Sequence, residues 1–351
     1  MKWFIRRLDL IIFFLWLLSL GCHPKQLGID RMDLVSRHNV INTKIDTLGS
    51  LTVGNGEFAF TVDVTGLQSF PDVYQNGIPL ATQSQWGWHS FPNPEKYTND
   101  DVAEVFASCN DRQLPVATQH GDGRAGAATQ WLRTNPHRLH LGIIGLQLLK
   151  NDGEEIQIND VKDIEQTLDL WSGKITSVYK VENIPVRVEL VAHEKRDLIA
   201  FKIESPLISS GNLKIRMKFP YGSDCHTCDG ADWNHPEKHQ SIMTESGENE
   251  FLIHRILDST EYEVVASFAQ NISYTEAGDH HFIFSPAGDE QFLEGSILFK
   301  EDFEGDELPT FSEAVEDSRM SYQKFWEDGG AIDFSQCSDP RAFELERRVI
   351  L

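Results

Sequence analysis

Two cysteines and two histidines lie at spacings that are compatible with metal binding. Cys225 and Cys228 are followed by His235 and His239, so the stretch reads C-x2-C-x6-H-x3-H. Each pair has a spacing that suits tetrahedral zinc, but the gap between the pairs is about half of that in a zinc finger. Unpaired thiols, a disulfide that involves Cys225 or Cys228, and a zinc site all remain open. We assign no metal ligand and no cofactor from this pattern.

A second group of residues has the chemistry of sugar binding. Trp86, Trp88 and His89 lie in the stretch QWGWHSFPN at 85–93. The apolar faces of sugars stack on indole rings, while neighbouring polar side chains bind the hydroxyl groups. Trp86, Trp88 and His89 are therefore candidate substrate-binding residues. In the alternative interpretation both tryptophans belong to the core, because an i, i+2 spacing places them on one face of a strand.

Trp233 is the fourth candidate for substrate binding. It lies in the polar stretch DWNHPEKH at 232–239, between two strand-like runs. This pattern is compatible with a surface that lines a domain junction, where Trp233 contacts the substrate. An ordinary solvated loop is the alternative.

The net charge of the chain argues against nucleic acid as a partner. The 351 residues include 54 Asp and Glu against 31 Lys and Arg, which gives a formal charge of −23. Nucleic-acid binding needs clustered Lys and Arg that release counterions from the phosphates. The apolar content of 40 % is sufficient for a large core.

Residues 1–22 are predicted to be a lipoprotein signal peptide. Lys2, Arg6 and Arg7 precede an apolar run at 10–20, which is too short to span a bilayer. The run ends in LSLGC, which resembles the bacterial lipobox, where the cysteine is lipidated. We expect an exported chain that Cys22 anchors to a membrane of a bacterial cell envelope, in the periplasm or at the cell surface. An ordinary secretory signal with an incidental Cys22 is the alternative.

Alternating hydrophobicity predicts a chain made mainly of β-strands. Leu213, Ile215 and Met217 alternate with Lys214 and Arg216, and the same period-two pattern recurs along most of the chain up to residue 300. Many strands without helical periods between them indicate stacked antiparallel sheets. We therefore predict a large antiparallel β-sandwich over 30–307, interrupted at 68–135 by a stretch rich in Gly, Pro and aromatic residues.

The pattern changes to helical spacing after residue 308. Thr310 and Glu313 form a capping-box motif before a helical stripe, which predicts a helix over 311–327 within a helical linker at 308–335. Residues 338–351 begin a second helix, whose apolar positions include Leu345 and Val349. We expect this helix to be the first of an incomplete helical domain.

Three stretches together resemble a known enzyme superfamily. They are residues 51–66 with the aromatic loop at 85–93, residues 166–171 with the strand at 197–205, and the Phe325-Trp326 helix with 339–347. This ordered combination is similar to the N-terminal region of six-hairpin glycosidases, in particular of glycoside hydrolase family 65. The resemblance implies a β-supersandwich, a helical linker and an (α/α)6 toroid, and an oligosaccharide or glycan as substrate.

The resemblance also implies where catalysis takes place. In such families a Glu in the helical toroid is the general acid, and its partner is a second carboxylate or a bound phosphate. No Asp or Glu of this chain matches a catalytic motif of the family, so we assign no catalytic residue. Hydrolysis, which needs two suitably separated carboxyl groups, and phosphorolysis both remain open.

These observations lead to two expectations for function. In the first, the chain is the N-terminal, non-catalytic part of an exported glycoside hydrolase and needs a C-terminal helical domain as its partner. In the second, it is a complete, non-catalytic carbohydrate-binding lipoprotein at the cell surface. The first predicts aggregation of the separate chain through the face that bears Leu345 and Val349, and the second predicts a soluble monomer that binds oligosaccharides.

Overall fold

The computed structural model describes residues 28–102, 104–118, 121–225, 230–301, 305 and 307–351. Strands make up most of its regular structure, and all strand pairs are antiparallel. The predicted fold class, mainly β with stacked antiparallel sheets, is therefore confirmed.

Within these residues the largest sheet has nine strands. In spatial order they are β1 (Val40–Asn42), β10 (Lys162–Asp169), β11 (Lys174–Val181), β12 (Ile184–Ala192), β13 (Leu198–Glu204), β22 (Phe292–Lys300), β19 (Thr260–Phe268), β18 (Glu250–Leu257) and β17 (His239–Gly247). Strands that follow one another in sequence mostly pair as hairpins, and β22 joins the two halves by pairing with β13 and β19.

Smaller sheets complete the strand structure. The small sheet has the order β20 (Ile272–Gly278), β21 (His281–Pro286), β14 (Leu213–Lys218) and β9 (Ile143–Leu148). A three-stranded sheet contains β2 (Leu51–Gly54), β3 (Phe58–Val62) and β4 (Thr82–Ser84). Three two-stranded pairs are β5 (Trp88–His89) with β8 (His137–Arg138), β6 (Glu104–Cys109) with β7 (Arg112–Ala117), and β15 (Tyr221–Gly222) with β16 (Ala231–Asp232).

One hydrophobic core joins the large, small and three-stranded sheets. It includes Phe201 of β13, Ile253 of β18, Ile215 of β14 and Phe60 of β3, all fully buried. Strands β3, β14 and β18 bury alternate residues, as expected for a strand with one face on a core, whereas β13 is buried on both faces along most of its length. The period-two pattern in the sequence therefore corresponds to the two faces of these sheets.

The helices in the described residues are short, with one exception. They are α1 (Arg31–Ser36), α2 (Pro71–Tyr74), α3 (Gly123–Arg133), α4 (Pro206–Ser209), α5 (Phe311–Asp328) and α6 (Arg341–Ile350), and 3-10 turns lie at Asn99–Asp101, Ile158–Asp160 and Pro236–Lys238. The stretch at 68–135, which interrupts the strand pattern, contains α2, β4 to β7 and α3. None of the helices in this described part of the chain combines the length and apolar content that a bilayer crossing requires.

Helix α5 covers the outer face of the large sheet. Phe311 and Ala314 pack with Val191, Leu198 and other residues of the central strands, on the face opposite the main core. The Thr310 side chain and backbone N–H bond to Glu313 in the predicted capping box. The helix spans almost the range predicted, while the domain boundaries at 307 and 335 and the start of an (α/α)6 toroid remain predictions.

The chain divides into two compact units. One comprises residues up to His38 together with Trp326–Leu351, and the other comprises Asn39–Phe325. The sandwich and most of α5 belong to the second unit.

A buried carboxylate holds the first unit together. Glu346 of α6 is only 2 % exposed. Its Oε1 accepts a hydrogen bond from Arg37 Nε at 2.9 Å and lies 2.6 Å from His38 Nε2, and its Oε2 accepts from the backbone N–H of Phe334 at 2.6 Å. Three separate stretches of chain therefore meet at one side chain. By contrast, Leu345 and Val349, the apolar positions of the predicted stripe, are more than half exposed.

The substitution Glu346→Gln should destabilise the docking of α6 within this unit. The hydrogen bond from Arg37, followed by those from Phe334 and His38, lowers the pKa of Glu346 to about 2. The stabilisation is therefore complete above the unfolded value of about 4.5 and is lost as the pH falls from there toward 2. We expect the substitution to lower the protection of the α6 amides at pH 7 by about 2 kcal/mol, measured by hydrogen exchange.

Glu344→Gln is the matched control, because Glu344 lies in the same helix but is exposed and forms ion pairs with Arg347 and Arg348 at the helix surface. Its effect should stay below about 0.5 kcal/mol. Equal effects of the two substitutions would contradict a central role for Glu346.

Candidate functional site

Trp88 forms an exposed aromatic surface on the sandwich unit. Its strand β5 pairs with β8, which places Trp88 opposite Arg138. The Arg138 guanidinium lies 4.4 Å from the centre of the indole ring, and the indole Nε1 donates to the Gln85 carbonyl at 2.8 Å. Arg138 also donates to the Ser84 carbonyl at 2.8 Å. These contacts hold the indole ring in place, while 43 % of Trp88 remains exposed. We call Trp88, Arg138 and Gln85 the tryptophan platform.

A surface groove of about 440 Å³ adjoins the platform. Arg138 and Gln85 line it and also contact Trp88. Its other lining residues are Gly54, Gly56, Glu57, Phe58, Ala59, Gln83, Ser84 and Tyr322. Amide, carboxylate and guanidinium groups beside an exposed indole are the combination that binds a sugar by its ring face and its hydroxyl groups.

Trp86 has a structural position. Its Nε1 donates to Asp197 Oδ2 at 2.6 Å, and the Ser84 hydroxyl donates to the same oxygen. The indole contacts the ring of buried Tyr262 at 5.9 Å and packs against the main core. The two tryptophans do not share one face of a strand, because the Trp88 N–H donates to the Trp86 carbonyl and turns the chain between them.

His89 lies inside the sandwich unit. It is 1 % exposed, and its Nδ1 lies 3.1 Å from the Thr260 hydroxyl. Its Nε2 lies 3.2 Å from Asp258 Oδ2, outside hydrogen-bonding geometry, and Tyr221 donates to that oxygen at 2.5 Å. Burial lowers the pKa of His89, although Asp258 opposes this. The role of His89 as a sugar contact remains a prediction, and its burial does not favour it.

Trp233 lines a different cavity, of about 560 Å³, on the outer face of the small sheet. Trp86, Trp88 and His89 are not among the residues that line this cavity. The structure therefore places the four predicted substrate-binding residues in different settings: Trp88 at the surface, Trp86 partly buried against the main core, His89 in the interior and Trp233 in the cavity.

A buried arginine that the sequence analysis missed supports the platform region. Arg255 of β18 is fully buried. It donates to the Gln240 carbonyl at 2.7 Å, to the Pro220 carbonyl at 2.9 Å and to His239 Nδ1 at 2.8 Å, and it also bonds to the Ser241 hydroxyl and, at 3.4 Å, to Tyr262. The sequence contains a signal for this position, because Arg255 takes an inward place in the alternation of Phe251, Ile253 and Leu257.

Tyr262 connects this arginine to the tryptophan loop. Its hydroxyl accepts from Arg255 and donates to the Leu141 carbonyl at 2.9 Å, and its ring contacts Trp86. The loop that carries the platform is therefore tied to the interior of the large sheet.

Of the three interpretations of the cysteine–histidine stretch, the structure supports a disulfide, which involves Cys225. Cys225 is disulfide-bonded, so it offers no thiolate to zinc, and the interpretation as an unpaired thiol is wrong for this residue. Cys109 and Cys337 are free and exposed. Within the described ranges, no group of three or more His, Cys, Asp and Glu side chains is arranged to hold a metal ion. Cys228 and the proposed lipidation residue Cys22 lie outside the described residues.

Stability should fall in mild acid because of His239. Its burial, followed by the charge of Arg255, lowers the pKa of His239 to about 3, well under the unfolded value of 6.5. Between these values the unfolded chain binds a proton that the folded chain rejects, so stability decreases as the pH falls. We expect His239→Gln to reduce the loss of unfolding free energy between pH 6.5 and 4.5 by about 1–2 kcal/mol in urea titrations.

His254→Gln is the control, because the His254 ring is partly exposed beside Glu261 and Glu263. It should retain the pH dependence of the wild type. If His239→Gln behaves in the same way as this control, His239 does not accept the Arg255 hydrogen bond as a neutral ring.

Comparison with known proteins identifies no family for this chain. No family model matches it, and no curated protein matches it. It is similar to a solved structure titled "Putative kojibiose phosphorylase from human microbiome", with 12 % sequence identity and a TM-score of 0.43. The match covers 90 % of this chain and 38 % of the solved chain. This chain therefore spans less than half the length of that protein.

Proposed function

We propose that this chain is the sugar-binding β-sandwich part of an exported glycan-processing protein. The observation that carries the proposal is the exposed Trp88 ring, which Arg138 and Gln85 hold in place beside a polar groove. An ordered indole binds the apolar face of a sugar without losing its own freedom on binding. The amide and guanidinium groups of the platform then bind the hydroxyl groups.

Catalysis is assigned to a helical partner domain rather than to this chain. The similarity of the three sequence stretches to six-hairpin glycosidases supports this assignment. Helix α6 supports it as well, because Leu345 and Val349, one turn apart, are both more than half exposed. An exposed apolar helical face of this kind suits a second helix. Turnover of aryl glycosides by the purified chain would contradict this assignment.

Export and lipid anchoring form the second part of the proposal. The basic and apolar start and the LSLGC stretch support them, and the disulfide at Cys225 is consistent with an oxidising compartment. The anchor then holds the sandwich at a membrane of the cell envelope, where extracellular or periplasmic glycans reach it.

Trp88→Ala should weaken binding of an oligosaccharide at least about tenfold, which is about 1.4 kcal/mol. Calorimetric titrations with maltohexaose, cellohexaose and xylohexaose would measure this effect. Phe292→Ala is the matched control, because Phe292 is also exposed, at 38 %, with the Lys202 ammonium 5.9 Å from its ring centre. If none of the three sugars binds, or if both substitutions have the same effect, the platform is not the binding site.

Cys22→Ser should abolish lipid attachment. When the full chain is expressed in a bacterial host with radiolabelled palmitate, the wild type should carry the label and sediment with membranes. The variant should carry no label and should not be processed at this position. A wild-type chain that is cleaved but unlabelled would contradict the anchor and favour an ordinary secretory signal.

A further inference from the structure

The cavity that contains Trp233, which we call the sheet cavity, has a composition that suits a charged ligand. We propose that it binds a sugar that carries an anionic group, with the anion beside Lys218 and His281 and the sugar ring against Trp233. This site is separate from the tryptophan platform and does not depend on it.

Strand geometry brings the cationic side chains together. In β14, Leu213, Ile215 and Met217 enter the core, so Lys214, Arg216 and Lys218 take the outer face of the small sheet. On the neighbouring strand β21, His281 is paired directly with Lys218. The chain as a whole has a charge of −23, so a cluster of cationic groups on one sheet face departs from its average composition.

Arg216 has a structural task in this cluster. Its Nη1 pairs with Glu155 at 2.6 Å, and its Nη2 donates to the Ser69 carbonyl at 2.6 Å. These bonds fix two walls of the cavity, the turn near 155 and the segment that begins at Ser69. The charges of Arg216 and Glu155 offset each other and leave Lys218 as the cation that can attract a ligand.

The Lys218 ammonium is available to attract an anionic ligand. This ammonium lies 5.1 Å from the centre of the Trp233 ring, and no carboxylate among the residues described here forms an ion pair with it. Asp72 also lines the cavity, but it is exposed at the rim and is contacted by Gln75 at 3.5 Å. An anion beside Lys218 therefore gains attraction without displacing an existing salt bridge.

His281 provides a polar atom that lacks a partner. Its Nε2 is buried and has no hydrogen-bond partner within the described part of the chain, although the residue lines the cavity. Buried polar atoms are nearly always hydrogen-bonded, so an orphan beside a cavity points to a ligand atom at that place. Burial and the charges of Arg216 and Lys218 lower the pKa of His281, and an anion would offset those charges.

Trp233 supplies the apolar wall that distinguishes a sugar from a simple anion. Besides the Lys218 contact, its ring meets that of His140 at 5.8 Å, which fixes its position. The amides of Gln75, Gln157 and Asn234 also line the cavity and can bind hydroxyl groups. A volume of about 560 Å³ accommodates a mono- or disaccharide.

The test measures binding to the Trp88→Ala variant, so that the platform cannot contribute. The probes are trigalacturonic acid, a sulfated chondroitin disaccharide, neutral maltotriose and inorganic sulfate, each titrated by calorimetry at 50 and 500 mM salt. We expect one of the two acidic sugars to bind at least about tenfold more tightly than maltotriose and to weaken at high salt. Carboxylated and sulfated sugars are told apart by which of the two binds.

Additional substitutions assign the site. Lys218→Gln should lower the affinity about tenfold, whereas Lys214→Gln, on the same strand face but outside the cavity lining, should leave it unchanged. Trp233→Ala should lose binding and Trp233→Phe should restore part of it. The proposal is overturned if neither acidic sugar binds, if maltotriose or sulfate binds as tightly, or if the two lysine variants behave alike.

Discussion

The platform region depends on the buried guanidinium of Arg255, which forms no ion pair with a carboxylate in the described part of the chain. The five N–H groups of Arg255 bond to two carbonyls, a hydroxyl, a histidine nitrogen and the Tyr262 oxygen. An arginine withdrawn from water is tolerated only when all of these donors are satisfied. These hydrogen bonds join β17, β18 and β19 to the segment after β14, at Pro220. Through the ring of Tyr262 they also connect to the loop that carries Trp86 and Trp88.

A second buried ionisable group, the carboxyl of Asp63, organises the segment that walls the sheet cavity. Asp63 accepts hydrogen bonds from the backbone and hydroxyl of Thr65 and from the backbone N–H groups of Ser69 and Phe70, all between 2.6 and 2.8 Å. Burial nevertheless raises its pKa. At Gln68 the chain approaches strand β9 closely: the Gln68 N–H donates to the Ile144 carbonyl at 2.9 Å, and a Cβ at Gly145 would come within 2.2 Å of the Gln68 carbonyl oxygen. Both candidate surfaces are thus shaped by polar groups inside the sandwich, while the apolar core supplies a rigid base.

Local sequence patterns predicted the strands and helices, but they did not predict which individual polar side chains are buried. The period-two runs and the capping box at Thr310 identified strands and helix α5, because they depend on residues a few positions apart. In the last helix Leu345 and Val349 are exposed and the neighbouring Glu346 is buried, which the apolar pattern of that helix does not predict. The Glu346 partners Arg37 and His38 lie about three hundred residues earlier in the chain, and no local pattern reports such a pair.

The sequence by itself determined that the chain is mainly β and that a helix follows the strands, and it offered Trp86, Trp88, His89 and Trp233 as candidates for sugar contact without separating them. Only the tertiary structure decided that Trp86 bonds to Asp197 and packs against the core, that Arg138 holds Trp88, and that Trp233 shares a cavity with Lys218 and His281. The physical reason is that side chains which point alternately to the core and to water produce a pattern of hydrophobicity that can be read from neighbouring residues. A hydrogen bond or ring contact between distant residues leaves no such pattern, since either partner alone looks like an ordinary polar or aromatic residue.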